Sequence, residues 1–270
     1  MPTTGSVSTT GSASATSSES ATGREPRSAL GIDIGGTGIK GAPVNLGTGA
    51  LTTERVRLLT PMPATPDAVA GVVAQLLDQM GQPGPVGLTL PSVVTGGVAR
   101  TAANIDPGWL GLDAVDLFAN ATGRPVAVLN DADAAGLAEV RFGAGAGRSG
   151  VILLVTLGTG IGSALFVNGA LVPNTELGHV HLHHGDAEDF AAESVRERED
   201  LSWDEYAGRL ERYLKLIHSL LWPDLIIIGG GISKKAEKFL PKIDVDTEVV
   251  PATLENDAGI VGAAMFAPEP

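Results

Sequence analysis

The 270-residue sequence predicts an α/β protein built of two lobes with a cleft between them. Two observations carry that expectation. The chain repeats itself, because each half opens on strand, glycine-rich turn and strand. DIGGTGIKG (33–41) does so in the first half and TLGTGIGSA (156–164) in the second. In both halves, strand-like apolar runs then alternate with segments of helical period, the order expected of α/β layers. At roughly 150 residues per domain the length allows one large or two modest units. A chain of this size can bury a core without disulfides or metals.

The first lobe is expected over 29–129. ALGIDIGG (29–36) reads as a short apolar strand ending in glycine. IKGAPVNL (39–46) and LTTERVRLL (51–59) follow at strand length, separated by the turn signal GTG at 47–49. ATPDAVAGVVAQLLDQM (64–80) offers Thr65 as an N-cap and Pro66 at the first helical position. Its apolar residues at 69, 72, 73, 76, 77 and 80 keep helical spacing. PVGLTLP (85–91) is a strand, AVDLFANAT (114–122) a short helix, and PVAVLND (125–131) a strand ending in two polar residues.

The second lobe, over 130–256, repeats that order. GVILLVTLGTG (150–160) is a buried strand, and IGSALFVNGAL (161–171) a strand running into an Asn-Gly turn. DAEDFAAESVRERED (186–200) is charged on most sides and reads as a solvated helix. A long helix covers about 203–221, and PDLIIIGGG (223–231) is a strand running into glycines. SKKAEKFLPKI (233–243) starts a helix that Pro241 ends, and NDAGIVGAAMFA (256–267) reads as a last helix.

Composition excludes several classes. A 43% hydrophobic, 18% charged chain is not wholly disordered. Residues 1–28, rich in Ser, Thr, Ala and Gly, lack the apolar surface to offset their ordering entropy and read as a disordered tail. The tail has no basic start and no continuous apolar segment, so it is no signal peptide. No apolar run approaches the ~18 residues of a membrane span. A cytoplasmic location is expected. The absence of cysteine excludes disulfide scaffolds, thiol catalysis and thiolate metal sites. Eighteen basic and 31 acidic residues give a charge of −13, which repels nucleic acid and anionic membranes. A polyanionic ligand must therefore be held by local cations and backbone amides.

Three glycine loops are candidates for that task. Asp33, Gly35, Gly36, Thr37, Gly38 and Lys40 form the first. A nest of amides with a hydroxyl and an ammonium suits a phosphate chain. It is neither a Walker loop nor a Rossmann turn, since a strand follows it. A plain glycine hairpin is the alternative. Gly158, Thr159, Gly160 and Gly162 repeat the same chemistry, and Gly229, Gly230 and Gly231 end a strand where a helix is expected to start. Lys234, Lys235 and Lys238 follow this third loop, as a phosphate contact or as an ordinary solvated face.

Asn130-Asp131 ends a strand at the junction of the halves. Asp131 there is either a general base for a hydroxyl or part of a helix cap. The cluster Asn174–His179 puts the Glu176 carboxylate and the His179 imidazole one turn apart, suited to vicinal hydroxyls; a surface loop is the plain alternative. Four of five histidines lie at 179, 181, 183 and 184, but no sulfur or well-spaced carboxylate completes a metal tetrahedron.

IDIGGTGIKG, LNDADAAGLAE, TLGTGIGSALFVNG, PNTELGH and IIIGGGIS occur in the order found in the ROK family of sugar kinases and repressors. Over about residues 29–266 the sequence resembles that family, above all its actinobacterial polyphosphate/ATP-dependent glucokinases and glucomannokinases. RTAANID, the WPD of 222–224 and NDAGIVGAAM add to the likeness. The resemblance implies two ribonuclease-H-like lobes of the sugar kinase, actin and heat-shock ATPase superfamily, with the last helix (257–267) packed back on the first lobe. It implies transfer of a terminal phosphoryl group from polyphosphate or ATP to the 6-hydroxyl of glucose, with mannose as a further acceptor.

By the same resemblance Asp131 would be the base, and Asn104, Asn130, Glu176 and His179 would hold the sugar. Asp33 would lie near Mg²⁺ and its waters, with no tight protein metal site. The loops at 35–40 and 158–162 would bind phosphates, and 229–231 would border the adenosine. Polyphosphate would run outward past Lys234, Lys235 and Lys238. Many members carry a cysteine-rich zinc motif after the ELGH histidine; without cysteine, zinc is not expected and other contacts must order that loop. Glu193 is the nearest candidate for a second sugar-binding glutamate. Repressors of the family place a winged helix before the kinase-like part, where this chain has only its Ser/Thr tail, so DNA binding is not expected. A homodimer is left open. A sugar-sensing regulatory protein without turnover and a strictly ATP-dependent hexose or amino-sugar kinase are the alternatives, and Asp131 with two phosphate loops favours an enzyme over the sensor.

Overall fold

The computed structural model describes residues 28–103, 105–182 and 185–269. The tail through residue 27, Asn104, His183, His184 and Pro270 lie outside the described residues. Two five-stranded sheets form the frame. In the first, β1 (Ser28–Ile34), β2 (Gly38–Asn45) and β3 (Val56–Leu59) form an antiparallel meander. β4 (Val86–Leu90) adds parallel to β1, a short hairpin of β5 (Val94–Thr95) and β6 (Val98–Ala99) follows, and β7 (Val126–Asn130) adds parallel to β4. The order is β3-β2-β1-β4-β7.

The second sheet repeats it. β8 (Val151–Leu157), β9 (Ile161–Val167) and β10 (Ala170–Val172) form the meander. After a two-residue ladder of β11 (His181–Leu182) and β12 (Gly185–Asp186), β13 (Leu225–Gly229) and β14 (Glu248–Pro251) complete the order β10-β9-β8-β13-β14. The same pairing twice is the ribonuclease-H arrangement in duplicate, as the sequence repeat implies.

The helices follow their apolar stripes. α1 (Pro66–Met80) buries Val69, Ala70, Val73, Leu76 and Leu77 against the first sheet. Thr65 precedes it in extended conformation without a side-chain cap bond. α2 (Ala114–Thr122) packs Phe118 into the same core, and α3 (Asp131–Phe142) leaves β7 toward the second sheet. α6 (Trp203–Leu221) opens on a capping box of Ser202 and Glu205 and buries Tyr206, Leu210, Tyr213, Leu214 and Ile217.

Two local expectations are corrected, and one strand is added that the sequence did not announce. Segment 186–200 is not one solvated helix. It forms α4 (Glu188–Ala191) and α5 (Glu193–Arg198), because Ala187, Ala191, Ala192 and Val195 make an inward stripe among the charges. Residues 233–243 form no α-helix. A 3₁₀ stretch, Gly231–Lys238, is kinked at Lys235, and Pro241 lies inside a second short turn, Leu240–Lys242. Phe239, stacked on Trp203, turns into the core and takes the backbone out of helical register. β14, an edge strand ending in Pro251, carries too little alternation to be read from sequence.

α7 (Ala258–Phe266) returns to lie on β1 and β4. Gly31 and Gly87 are partners across those strands. A Cβ at Gly31 would overlap the carbonyl oxygen of Ile260, and one at Gly87 that of Ala263. Gly262 meets the carbonyl of Ala134 on α3 in the same way. Close backbone approach therefore seats α7 between sheet and α3. Gly87→Ala should lower the thermal midpoint by several degrees, since overpacking costs about 1–3 kcal/mol. Gly71→Ala on α1, where a Cβ meets open space, should hold or raise it. Indistinguishable midpoints for the two variants would contradict this packing account.

Candidate active cleft

The junction of β7 and α3 resolves the ambiguity at 130–131. The side-chain oxygen of Asn130 accepts from the amides of Ala132 (2.8 Å) and Asp133 (3.1 Å), so Asn130 is the helix cap. Its Nδ2 donates to the carbonyl of Ser92 (3.2 Å). Asp131 follows at the first helical position, exposed on the cleft, with its Oδ1 also accepting from the Ala132 amide (2.9 Å). Both lobes nonetheless surround it. That desolvation, followed by the like charge of Asp33, pushes its carboxyl up to about 7 against the opposing hydrogen bonds of the Ala132 and Asp131 amides, with a smaller raising effect of Glu176.

Across from it stands the segment after β10. The Ser163 hydroxyl donates to the carbonyl of Thr175 (2.6 Å) and accepts from the Leu177 amide (3.0 Å), holding Glu176 in place. Burial raises the Glu176 carboxyl, with Glu188 adding and His179 opposing. His179 bonds Asp186 through Nδ1 (2.9 Å) and stands 3.8 Å from Glu176 and 3.9 Å from Glu188. The Asp186 bond is the main reason the imidazole is held above its ordinary pKa. That bond, the β11–β12 ladder and a hydrogen bond from the Ala187 amide to the carbonyl of Val180 (2.9 Å) tie together the described residues beyond His179.

Glu188 is the residue that sequence reasoning missed. It opens α4, faces His179, and its Oε2 accepts from the amide of Ile161 (3.1 Å) at the edge of the second glycine loop. Glu193 turns elsewhere, toward Gly231, Lys235 and Arg196. Reading 186–200 as a uniform charged face hid the distinction. Asn104 and the histidines at 183 and 184 lie outside the described residues; His181 is exposed. Among the described residues no group of three or more His, Asp or Glu could hold a metal ion.

The two β-turn loops face the same cleft. Thr89 donates from Oγ1 to Asp33 Oδ1 (3.0 Å), and Lys40 pairs with Asp33 Oδ2 (3.0 Å). The Thr60 hydroxyl donates to the Gly35 carbonyl (2.5 Å). In the second loop, Ser194 accounts for the carbonyls of Gly158 (3.0 Å, from its amide) and Thr159 (2.6 Å, from its hydroxyl). Neither loop uses a left-handed glycine. Of the loop glycines only Gly230 does, with φ 84°. Two of the others serve by lacking a Cβ: one at Gly160 would overlap Glu188, and one at Gly162 would crowd Thr156 and Ala132.

The lysines of the expected outward track do not share one face. Lys234 pairs with Glu255 (3.0 Å) and lines an open cavity of about 640 Å³ with Arg55 and Asp257. Lys235 lies near Glu193, and Lys238 sits 5.6 Å from the Trp203 ring centre, which Arg196 also covers at 3.9 Å.

The ROK family pattern matches residues 29–194. The chain belongs to the ROK family. This ROK protein is 53% identical over 240 residues to a polyphosphate glucokinase of Mycobacterium tuberculosis, covering 88% of this chain and 91% of the relative. Its fold matches the crystal structure of an inorganic polyphosphate/ATP-glucomannokinase from Arthrobacter sp. strain KM, with TM-score 0.85, 51% identity, and 88% and 97% of the two chains covered. A Streptomyces griseus ROK glucokinase, solved with glucose and AMPPNP, shares the fold at TM-score 0.77 and 24% identity, with 89% and 99% covered.

A base must be unprotonated to act, so activity limited by Asp131 should rise with pH through about 7. Asp33→Asn removes the neighbouring negative charge and should move that acid limb of kcat/KM to lower pH, whatever activity remains. A limb that stays in place would show that Asp33 does not act on the titrating group.

Proposed function

We propose that this chain moves the terminal phosphoryl group of inorganic polyphosphate or ATP to the 6-hydroxyl of a hexose, glucose first and mannose as a further acceptor. One observation carries the reading. A carboxylate at the start of α3, bonded to the Ala132 amide yet with its pKa brought to about 7, stands where the Glu176–His179 segment and both glycine loops converge. The relatives named above support the donor and the sugar.

In this reading Asn104, Asn130, Glu176, His179 and Glu188 hold the sugar hydroxyls. Asp131 accepts the proton of the 6-hydroxyl as its oxygen attacks phosphorus in line, and the shortened phosphate chain leaves on the opposite side. Lys40 and the amides at 35–38 and 158–162 stabilise charge on the transferring group. Asp33 and Asp131 repel each other with Lys40 the cation paired to Asp33. Two carboxylates without a full ligand cage fit an ion carried by phosphates and water. Mg²⁺ bound with the donor would supply positive charge there, beside Asp33.

Gly229, Gly230 and Gly231 border the adenosine of ATP. Polyphosphate, lacking a base, continues past the cations outside that loop; Lys235 and Lys238 share one side of the 3₁₀ stretch with Arg196, and Lys234 lies on the other. No helix among the described residues is long and apolar enough to cross a membrane, and a cytoplasmic enzyme, working as a homodimer, fits the reading.

The test is a matrix of polyphosphate, ATP and GTP against glucose, mannose, glucosamine and fructose, run with parent and Asp131→Asn. The variant keeps size and hydrogen bonding but loses the proton acceptor, so kcat should fall by roughly 10²–10⁴-fold with glucose affinity little changed. Near-normal turnover would return Asp131 to a structural role. As a further arm, Lys235→Gln with Lys238→Gln should weaken polyphosphate use more than ATP use. Equal losses would argue for a disturbed lobe instead.

A further inference from the structure

Asn174 follows β10 with φ 59°, a left-handed conformation that asparagine tolerates better than most side chains. Its side chain reaches the other lobe. Oδ1 accepts from the amide of Val94 (2.9 Å) and Nδ2 donates to the carbonyl of the same residue (2.9 Å). One primary amide thus satisfies both backbone groups of a β5 residue, as a paired strand would.

Each end of this contact leads to the acceptor side. Val94 belongs to the hairpin of β5 and β6, whose base is tied by Ser92 Oγ donating to the Thr101 carbonyl (2.8 Å). The Val93 amide in turn donates to Thr101 Oγ1 (3.0 Å). The chain then runs directly to Asn104. At the other end, the Asn174 amide donates to Oδ2 of Asp133 (2.8 Å). Asp133 is buried at 2% exposure and stands two residues after Asp131 on α3. Glu176 follows two residues after Asn174.

We infer that Asn174 is a positioning residue that latches the two lobes at the acceptor end of the cleft. It sets the register of the first-lobe hairpin against the Glu176–His179 segment, with Asp133 tying both to the helix of the base. The inference rests on the reading above that Glu176, His179 and Asn104 hold the sugar, and in that reading the donor is held by the glycine loops, which make no contact with the fork. The fork needs one donor and one acceptor on a short side chain. Aspartate at this position would set an oxygen against the Val94 carbonyl, and glycine would keep the backbone relaxed while removing the fork.

Asn174→Asp and Asn174→Gly separate the fork from backbone strain. Both should raise the KM for glucose roughly ten- to thirtyfold, the size of one or two lost hydrogen bonds. The KM for polyphosphate and kcat at saturating sugar should stay within about twofold. Calorimetric glucose affinity should fall by the same factor, a readout independent of turnover. Amide exchange at Val94 in the sugar-free protein should quicken at least tenfold. An unchanged glucose affinity with faster Val94 exchange would overturn the role in sugar recognition. Unchanged exchange would overturn the latch itself. A uniform loss of kcat with both substrate KM values intact would also overturn it. If the parent phosphorylated no hexose the activity reading would fail, and glucose binding and Val94 exchange would still decide the latch.

Discussion

The cap at the start of α3 is the constraint on which the rest depends. The four leading amides of a helix need acceptors, and an aspartate at such a junction is normally drawn into that service. Here Asn130 accepts both the Ala132 and Asp133 amides. The carboxylate one residue later is therefore left facing the cleft, where partial desolvation and Asp33 raise its pKa. Asp131 accepts only the Ala132 amide (2.9 Å); had the two residues exchanged places, the carboxylate would have taken both amides and been driven further down.

Fixing that carboxylate requires fixing its helix, and α3 is held along its whole length. Near the start, Asp133 receives the amide of Asn174. Along the side, Gly262 lets α7 approach the Ala134 carbonyl. Toward the far end, Glu139 is fully buried and accepts from the amides of Ala144 (2.8 Å), Thr253 (2.9 Å) and Leu254 (2.7 Å). A buried carboxylate is costly unless so satisfied. Glu139 thereby joins α3 to the segment that leads into α7, and α7 lies on the first sheet. The two sheets consequently meet on one element that carries Asp131.

Much of this was legible in the sequence because it is periodic or local. The apolar stripes of α1, α2 and α6 and the alternation of strands with helices are local patterns. The doubled strand–turn–strand start announces the duplicated sheet. The loop glycines were legible as turns between strands or at a strand end, and of them only Gly230 takes a left-handed backbone. What escaped depends on partners distant in sequence. Glu188 is one charge among many until α4 turns it toward His179 and Ile161. Asn174 looks like loop polarity until Val94, 80 residues away, is brought to it. The 3₁₀ geometry of 231–238 follows from Phe239 entering the core beside Trp203, which local propensity does not encode.

The central claim is that Asp131, at the start of α3 between the two lobes, exchanges its proton near neutrality. Carbon-13 NMR titration of the aspartate carboxyls reads this directly, with the Asp131 resonance assigned by its loss in Asp131→Asn. A midpoint of about 7 in the ligand-free protein is the predicted result. A midpoint near the ordinary ~3.9 of a solvated aspartate would contradict the account.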